Sequence, residues 1–214
     1  EAGLPRDVRT KVDALVENVW DLYHSVHDAR GTQLIFCDLY TPKSSAKNHT
    51  DATAPAITLT DAERVLTEGI YGEIKRRLVA AGMLAHQVEY VHDATTDEKK
   101  TALFARVNSG QCRVLIGSTT KMGTGLNVQS RIIAIHHLTA PWRPDWLEQA
   151  NGRGRRQGNM WDAIHVFAYV TQRSYDSCIW QMLEQKSRFI SQIASGTYAG
   201  RSADDIGDLI LTAS

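Results

Sequence analysis

The sequence predicts an α/β fold: a mostly parallel sheet flanked by helices, with helical extensions at both ends. Three observations predict it. Short runs that are nearly all apolar, "QLIFCD", "QVEYVH", "CRVLIGS", "RIIAIHHL" and "AIHVFAYV", recur along the chain. Apolar runs without polar alternation suit strands covered on both faces. Helical patterns separate these runs, and strands alternating with helices of about 10–15 residues build parallel sheets. The composition, 43% hydrophobic and 22% charged over 214 residues, is that of a chain able to bury one substantial core.

Each element has its own signal. From about Asp7 to Arg30, Val8, Val12, Leu15, Val19, Leu22 and Val26 fall at helical spacing, and Gly31 ends that helix. Gln33 to Asp38 then form a strand. "TPKSSAKNHTDATAP" is polar and is expected as a loop. Thr60 and Glu63 offer a capping box ahead of a helix through "YGEIKRRLVAAG". After the strand "QVEYVH", Thr95 and Glu98 offer a second box ahead of "KKTALFARVNSG", a helix closed by Gly110. "CRVLIGS", "RIIAIHHL" and "AIHVFAYV" supply three further strands, expected to be buried on both faces. From Arg173 onward, Tyr175, Ile179, Met182, Leu183, Lys186, Ile190 and Ile193 mark one face of a long bracing helix that carries Trp180 and Phe189. "GRSADDIGDLILTAS" is expected as a short acidic helix. The domain plan is a leading helix over 1–30, the main lobe over 31–172 and a helical tail over 173–214. No internal repeat is visible.

Lysine plus arginine and aspartate plus glutamate both total 24, so no global field draws the chain to nucleic acid or membrane. Any anion site must be a local cluster. Cys37, Cys112 and Cys178 each sit in an apolar run without metal-type spacing, as buried thiols in a reducing cytosol would. No apolar stretch approaches ~18 residues, so a cytoplasmic location and no membrane partner are expected. The chain opens on "EAGLPRD" rather than Met, which we take as a piece of a larger protein.

Two stretches carry chemistry. "STTKMGTGLNV", from Ser118 to Val128, sets hydroxyls (Ser118, Thr119, Thr120, Thr124), Gly123, Gly125 and Asn127 at the carboxyl end of a strand. Ligands bind there in open α/β sheets, and glycines let a backbone approach phosphate. A plain glycine-rich turn is the alternative. In "PDWLEQANGRGRRQ", a helix starting at Pro144 and continuing to Gly158 places Gln149, Gly152, Arg153 and Arg156 on one face. Gly152 and Gly154 each cost a helix ~1 kcal/mol against Ala, which suggests close approach of a ligand or another backbone. A solvated basic face, or pairing with Asp145, Glu148 or Asp162, is the alternative.

Together these stretches resemble motifs V and VI of superfamily 2 helicases, nearest the Swi/Snf-like branch of DNA translocases. That branch carries a TxxGxGxN-type motif V, a Trp-x-Pro and a QxxxRxxRxGQ-type motif VI. Trp142, Pro144, Gln149, Arg153, Arg156 and Gly158 fall on the pattern, and "QLIFCDL" is similar to motif IV. The likeness runs from about Gly31 to Val170. It is similar also to the helicase segment of large phage and mobile-element proteins that join a DNA-methylase region to a helicase.

The resemblance implies a second RecA-like lobe of an ATP-dependent DNA helicase or translocase. ATP would sit between this lobe and a first lobe that brings the P-loop lysine and the Mg2+-binding acidic pair. Arg156 would be the arginine finger, Arg153 a second arginine and Gln149 a positioning group. Such a finger is worth ~10³–10⁵ in rate. Gly123, Gly125, Asn127 and Gly152 would border the nucleotide, and Thr119, Thr120, Lys121, Trp142 and Arg143 would track duplex DNA. Two features depart from the branch: Thr139, Ala140 and Pro141 stand where an acidic residue is usual before the Trp-x-Pro, and Gly154 and Arg155 stand between the motif VI arginines where an apolar residue is common.

"GSTTKMG" has Met122 where a Walker A loop needs glycine, and Asp97 and Glu98 begin a helix rather than follow a strand. Alone, the chain is expected not to hydrolyse ATP. A nucleic-acid-binding or interaction module without ATP chemistry is the rival reading. His24 and His27 lack a third metal ligand nearby in sequence, and His136 and His137 end a strand as core or supporting residues. Trp146 is a packing residue or a stacking platform. Arg113 is a candidate phosphate contact beside Lys121 and Arg143, and Lys75, Arg76 and Arg77 read as a solvated face.

Overall fold

The computed structural model describes residues 10–39, 61–123, 127–171 and 174–195. The polar segment after Thr41, the Thr60–Glu63 box, Gly125 and the tail after Gly200 lie outside the described residues. Five parallel strands form one sheet in the order β2-β3-β1-β4-β5. They are β1 (Thr32–Phe36), β2 (Val88–Tyr90), β3 (Val114–Gly117), β4 (Ile132–His137) and β5 (His165–Ala168). In register, Leu34 of β1 stands between Leu115 of β3 and Ile135 of β4.

All residues of β1, β3 and β4 are buried, as their unbroken apolar runs require. One layer sets Ile35, Val114 and Ile116 against Leu15 and Val19 of α1 (Lys11–Ser25) and Tyr71, Ile74 and Leu78 of α2 (Asp61–Ala80). The other sets Leu34, Leu115 and Ile135 against Leu103 and Val107 of α3 (Asp97–Asn108), Met122 of α4 (Thr119–Gly123) and Ala150 of α5 (Pro144–Gly154). The last helix among the described residues is α6 (Tyr175–Ala194), whose N-cap Ser174 accepts the Asp176 amide proton. β5 departs from expectation: only Phe167 is partly covered, and its neighbours on the strand are exposed. It is an outer strand that pairs with β4 alone, so its apolar letters mark an edge rather than a centre.

Helix ends differ from the sequence reading by local hydrogen bonding. α1 starts behind a Thr10–Asp13 capping box and stops at Ser25 instead of reaching Arg30. A series of turns follows, with Arg30 at φ 51°. Asp13 also pairs with Arg77 of α2, while Arg76 and Arg77 both bond Glu73; this basic run is paired and not merely solvated. α3 is capped by Thr96, whose hydroxyl accepts the Lys99 amide proton at 3.3 Å, one residue beyond the expected Thr95–Glu98 box. Gly110 closes α3 at φ 74°, and a Cβ there would stand 2.7 Å from the Arg30 carbonyl oxygen. α2 is kinked at Gly69 (φ 65°, ψ −170°).

A hydrogen-bonded chain crosses the interior. Asn18 Nδ2 donates to Tyr169 Oη at 3.1 Å. His136 Nδ1 faces the same hydroxyl at 2.8 Å and its Nε2 faces Gln33 Oε1 at 2.9 Å. Gln33 Nε2 in turn donates to the Val19 carbonyl at 2.9 Å. The donor order fixes His136 as a neutral ring protonated on Nε2, and burial lowers its pKa to about 3. Burial also raises Cys37 to about 11 and Cys112 to about 12. Cys178 is only partly buried, because α6 leaves much of its surface uncovered.

Candidate nucleotide and nucleic-acid site

The glycine-rich stretch begins where β3 ends. Thr119 donates its amide proton to Asp38 Oδ1 and its hydroxyl proton to Asp38 Oδ2, both at 2.7 Å. Asp38 lies just past the carboxyl end of β1, so a carboxylate locks the first turn of α4. Thr119 is accordingly turned inward, at 4% exposure, while Thr120 and Lys121 face solvent. Lys121 stands close enough to His92 to add to the lowering of that imidazole's pKa, which burial dominates. Gly123 ends α4. Asn127 is exposed, and its carbonyl accepts from Asn108 Nδ2 at 2.9 Å. Asn108 Oδ1 accepts the amide protons of Gln129 and Ser130 at 3.1 and 3.3 Å. The stretch thus descends from the carboxyl end of β3 to the amino end of β4, pinned by a residue on α3.

The arginine-rich stretch makes the same descent. Trp142 is 66% exposed where the chain leaves β4. Arg143 forks onto Asp145 at 2.9 and 2.8 Å, over the Trp146 ring. His137 at the end of β4 holds α5 through Nε2 and Asn151 Oδ1, 2.9 Å apart. α5 ends at Gly154, four residues short of the expected Gly158. The cause is Asn159: its Nδ2 donates to the carbonyls of Gly154 and Ile132, each at 2.8 Å. In a continuing helix the Gly154 carbonyl would take the Gly158 amide proton, but Gly158 has φ 92°.

The predicted one-sided face therefore does not survive. Gln149 is exposed, Arg153 is 3% exposed inside the fold, and Arg156 stands exposed in the turn beyond the helix. Burial, then the nearby Arg156, lower the Arg153 pKa. The two glycines differ as sharply. A Cβ on Gly152 would meet nothing within 4 Å, whereas one on Gly154 would lie 2.2 Å from Ile164 Cδ1. Arg155, Arg156 and Asp162 rim a basin of about 460 Å³ that runs from Gly154 to Ile164. The Met160 amide donates to Ser130 at 2.9 Å, stitching this loop to the end of the glycine-rich stretch. Arg113 does not join them. It is 2% exposed and donates to the backbone carbonyls of Gly31, Tyr23, Val26 and His27.

Candidate residues thus gather at two ends of the sheet. Thr120, Lys121, Trp142 and Arg143 lie at the carboxyl end, while Asn127, Arg153 and Arg156 lie at the amino end, with α5 as the strut between. Asp38, inside the motif IV-like run, Asn108 of α3 and Asn159, at the last position of the motif VI pattern, set these positions, although none was among the predicted site residues.

Residues 55–158 match the helicase conserved C-terminal domain family, and the sheet is that of a RecA-like lobe. The matched segment carries a helicase conserved C-terminal domain within that RecA-like fold. This helicase lobe is similar to the Defense against restriction protein B of Escherichia phage P1, at 33% identity over 90 residues. That match covers 42% of the chain and 4% of the phage protein. It is similar also to a Caenorhabditis elegans homologue of a SWI/SNF-related chromatin regulator, subfamily A-like protein 1. There identity is 25% over 111 residues, covering 51% of the chain and 16% of the relative. The helicase lobe thus spans a small part of both.

Among solved structures, the C-terminal part of the Fun30 ATPase domain superposes with a TM-score of 0.53 at 18% identity, over 84% of this chain and 47% of that one. Dbp5 of Saccharomyces cerevisiae, solved bound to RNA and ADP BeF3, gives 0.52 at 15% identity, over 82% and 36%. Helicase neighbours of this lobe therefore hold nucleotide analogues and nucleic acid. Among the described residues no helix is long and apolar enough to cross a membrane.

Proposed function

We propose that this lobe completes an ATP site shared with a first RecA-like lobe, with Arg156 as the arginine finger, in a Swi/Snf-like motor that moves along duplex DNA. The observation that carries the reading is the turn at 155–159. Asn159 stops α5 so that Arg156 projects from the fold beside the end of the glycine-rich stretch. Among the described residues Arg156 forms no ion pair, and a guanidinium held ready in this way suits the charge that develops on a transferring phosphoryl group.

ATP would supply the phosphoryl group, and Mg2+ would neutralise part of its charge. The residues here fit the phosphate end and not the metal: arginines and amides rim the basin, and Asp162 is its one carboxylate. Metal ligands are assigned to the first lobe. Arg153 supports the turn from inside and Gln149 stands one turn before it on α5. The open space beside Gly152 is room for the partner lobe or the nucleotide, and Gly123, Gly125 and Asn127 are assigned by the motif V likeness to the nucleotide border. Thr120, Lys121, Trp142 and Arg143 form the DNA track, with Thr119 as the inward anchor of that loop. A DNA-methylase region elsewhere in the parent chain belongs to the same proposal, as does the cytoplasm of a bacterial or phage-infected cell, which the phage origin of one relative supports.

The test is ATP hydrolysis by the longest natural reading frame that contains this segment, with and without duplex DNA or RNA. Duplex DNA should stimulate hydrolysis more than RNA, and Arg156→Ala should lower it by about 10³-fold while nucleotide still binds. Absent hydrolysis, or an unaffected variant, would favour the module without ATP chemistry.

A further inference from the structure

A second cavity, of about 420 Å³, opens beside the residues that lead into β2 and β3, on the other half of the sheet from Arg156. The two sites share no residue. Its walls carry Arg30, Arg106, Arg113, His27 and His86, and no Asp or Glu among the described residues. This is an unusual concentration for a chain of zero formal net charge.

Arg113 is the innermost of the three arginines. Its Nε donates to the Gly31 carbonyl at 2.8 Å, and its terminal nitrogens donate to the Tyr23, Val26 and His27 carbonyls at 3.3–3.4 Å. The guanidinium lies 4.5 Å from the Tyr23 ring centroid. Carbonyls satisfy its hydrogen bonds without cancelling its charge, and buried charges are ordinarily paired. Among the described residues no carboxylate pairs with it, and Arg30 and Arg131 stand near enough to repel it. Arg106 is held by Glu89, which leaves Arg30 and Arg113 without a carboxylate partner among the described residues around one open volume.

We propose that this cavity is an anion site for phosphate groups, separate from the shared ATP site. Two such guanidiniums call for a ligand with at least two negative charges, which phosphate supplies on one compact group with several acceptor oxygens. The volume lies within the range of small-ligand sites. The phosphates belong either to a free polyphosphate or nucleotide, or to a nucleic-acid backbone.

Calorimetry of the 214-residue chain with tripolyphosphate, and anisotropy with a short thymidine oligonucleotide, separate these sources. Two variants probe the site: the exposed pair Arg30→Gln with His86→Gln, and Gln111→Glu, which adds a negative charge to the wall. Each should keep the wild-type melting temperature. Each should weaken binding about tenfold or more, the size of one lost charge-assisted hydrogen bond, whereas Arg156→Ala should leave it unchanged. If only tripolyphosphate responds, the ligand is a free polyphosphate; if only the oligonucleotide responds, it is a strand. No binding of either probe, binding indifferent to both cavity variants, or binding lost only with Arg156→Ala, overturns the proposal without touching the arginine-finger reading.

Discussion

Gly152 and Gly154 stand two residues apart on α5 and meet opposite surroundings. Gly152→Ala adds a methyl group to open space and removes a poor helix former, so it should stabilise the isolated chain by up to ~1 kcal/mol. Gly154→Ala drives Ile164 aside and should destabilise it by ~1 kcal/mol. Denaturant unfolding of both variants checks the pair, and equal effects would refute the assignment. A Gly152→Ala protein that is more stable but less active in the full motor would place the nucleotide or the first lobe against that face. His136 gives a pH signature. Its pKa is about 3 folded against a reference value of 6.5, so the unfolded chain binds the extra proton between these limits. The stabilisation is complete above pH ~6.5 and is lost as pH falls towards 3. Between pH 7 and 5 the chain should lose ~2 kcal/mol through this ring, with His137, also lowered by burial, adding in the same direction. Asp13, Glu73 and Asp176 are lowered below carboxylate values and act at lower pH. Melting temperatures of wild type and His136→Gln across pH 5–7 should show a shallower slope in the variant; parallel slopes would refute the role given to this ring.

Among the elements, α5 shows most clearly what local pattern reveals and what it hides. Pro144 and the apolar spacing announce where the helix begins, and the motif names its arginines. Where it ends is decided by a side chain five residues beyond Gly154 that also bonds the first residue of β4, and such a tertiary bond leaves no mark in helical periodicity. For that reason Arg153 and Arg156 were legible as a pair but not as one buried and one exposed group. The same limit applies to β5, whose letters match a central strand while its place at the sheet edge depends on topology. It applies again to Thr119, whose hydroxyl looked available until Asp38, 81 positions away, took it. Strands β1, β3 and β4 were legible because burial on both faces allows only apolar runs. Asn159→Ala should remove both bonds from α5 and β4, costing about 1–3 kcal/mol. Because it loosens the turn that presents Arg156, it should also lower ATP turnover in the parent protein more than nucleotide affinity. A variant with native stability and native turnover would show that the turn is fixed by other contacts.

At the scale of the whole molecule, the balance of 24 basic and 24 acidic side chains means that no long-range field assists DNA binding. Affinity must come from the few cations at the carboxyl end of the sheet, and these are unequal. Lys121 is exposed and forms no ion pair among the described residues, whereas Arg143 already forks onto Asp145. Each phosphate neutralised contributes about −0.9 to the slope of log affinity against log salt. An isolated lobe using two or three such contacts should therefore bind duplex DNA weakly, with a slope of about −2 to −3. Lys121→Ala should lower the magnitude of that slope by about one. Arg143→Ala should lower it by less, since releasing Asp145 leaves a negative charge beside the track. Fluorescence anisotropy across a salt series measures all three. A much steeper wild-type slope would require a larger cationic face than Thr120, Lys121, Trp142 and Arg143 provide, and would move the DNA track to the arginine-lined cavity at the opposite end of the sheet.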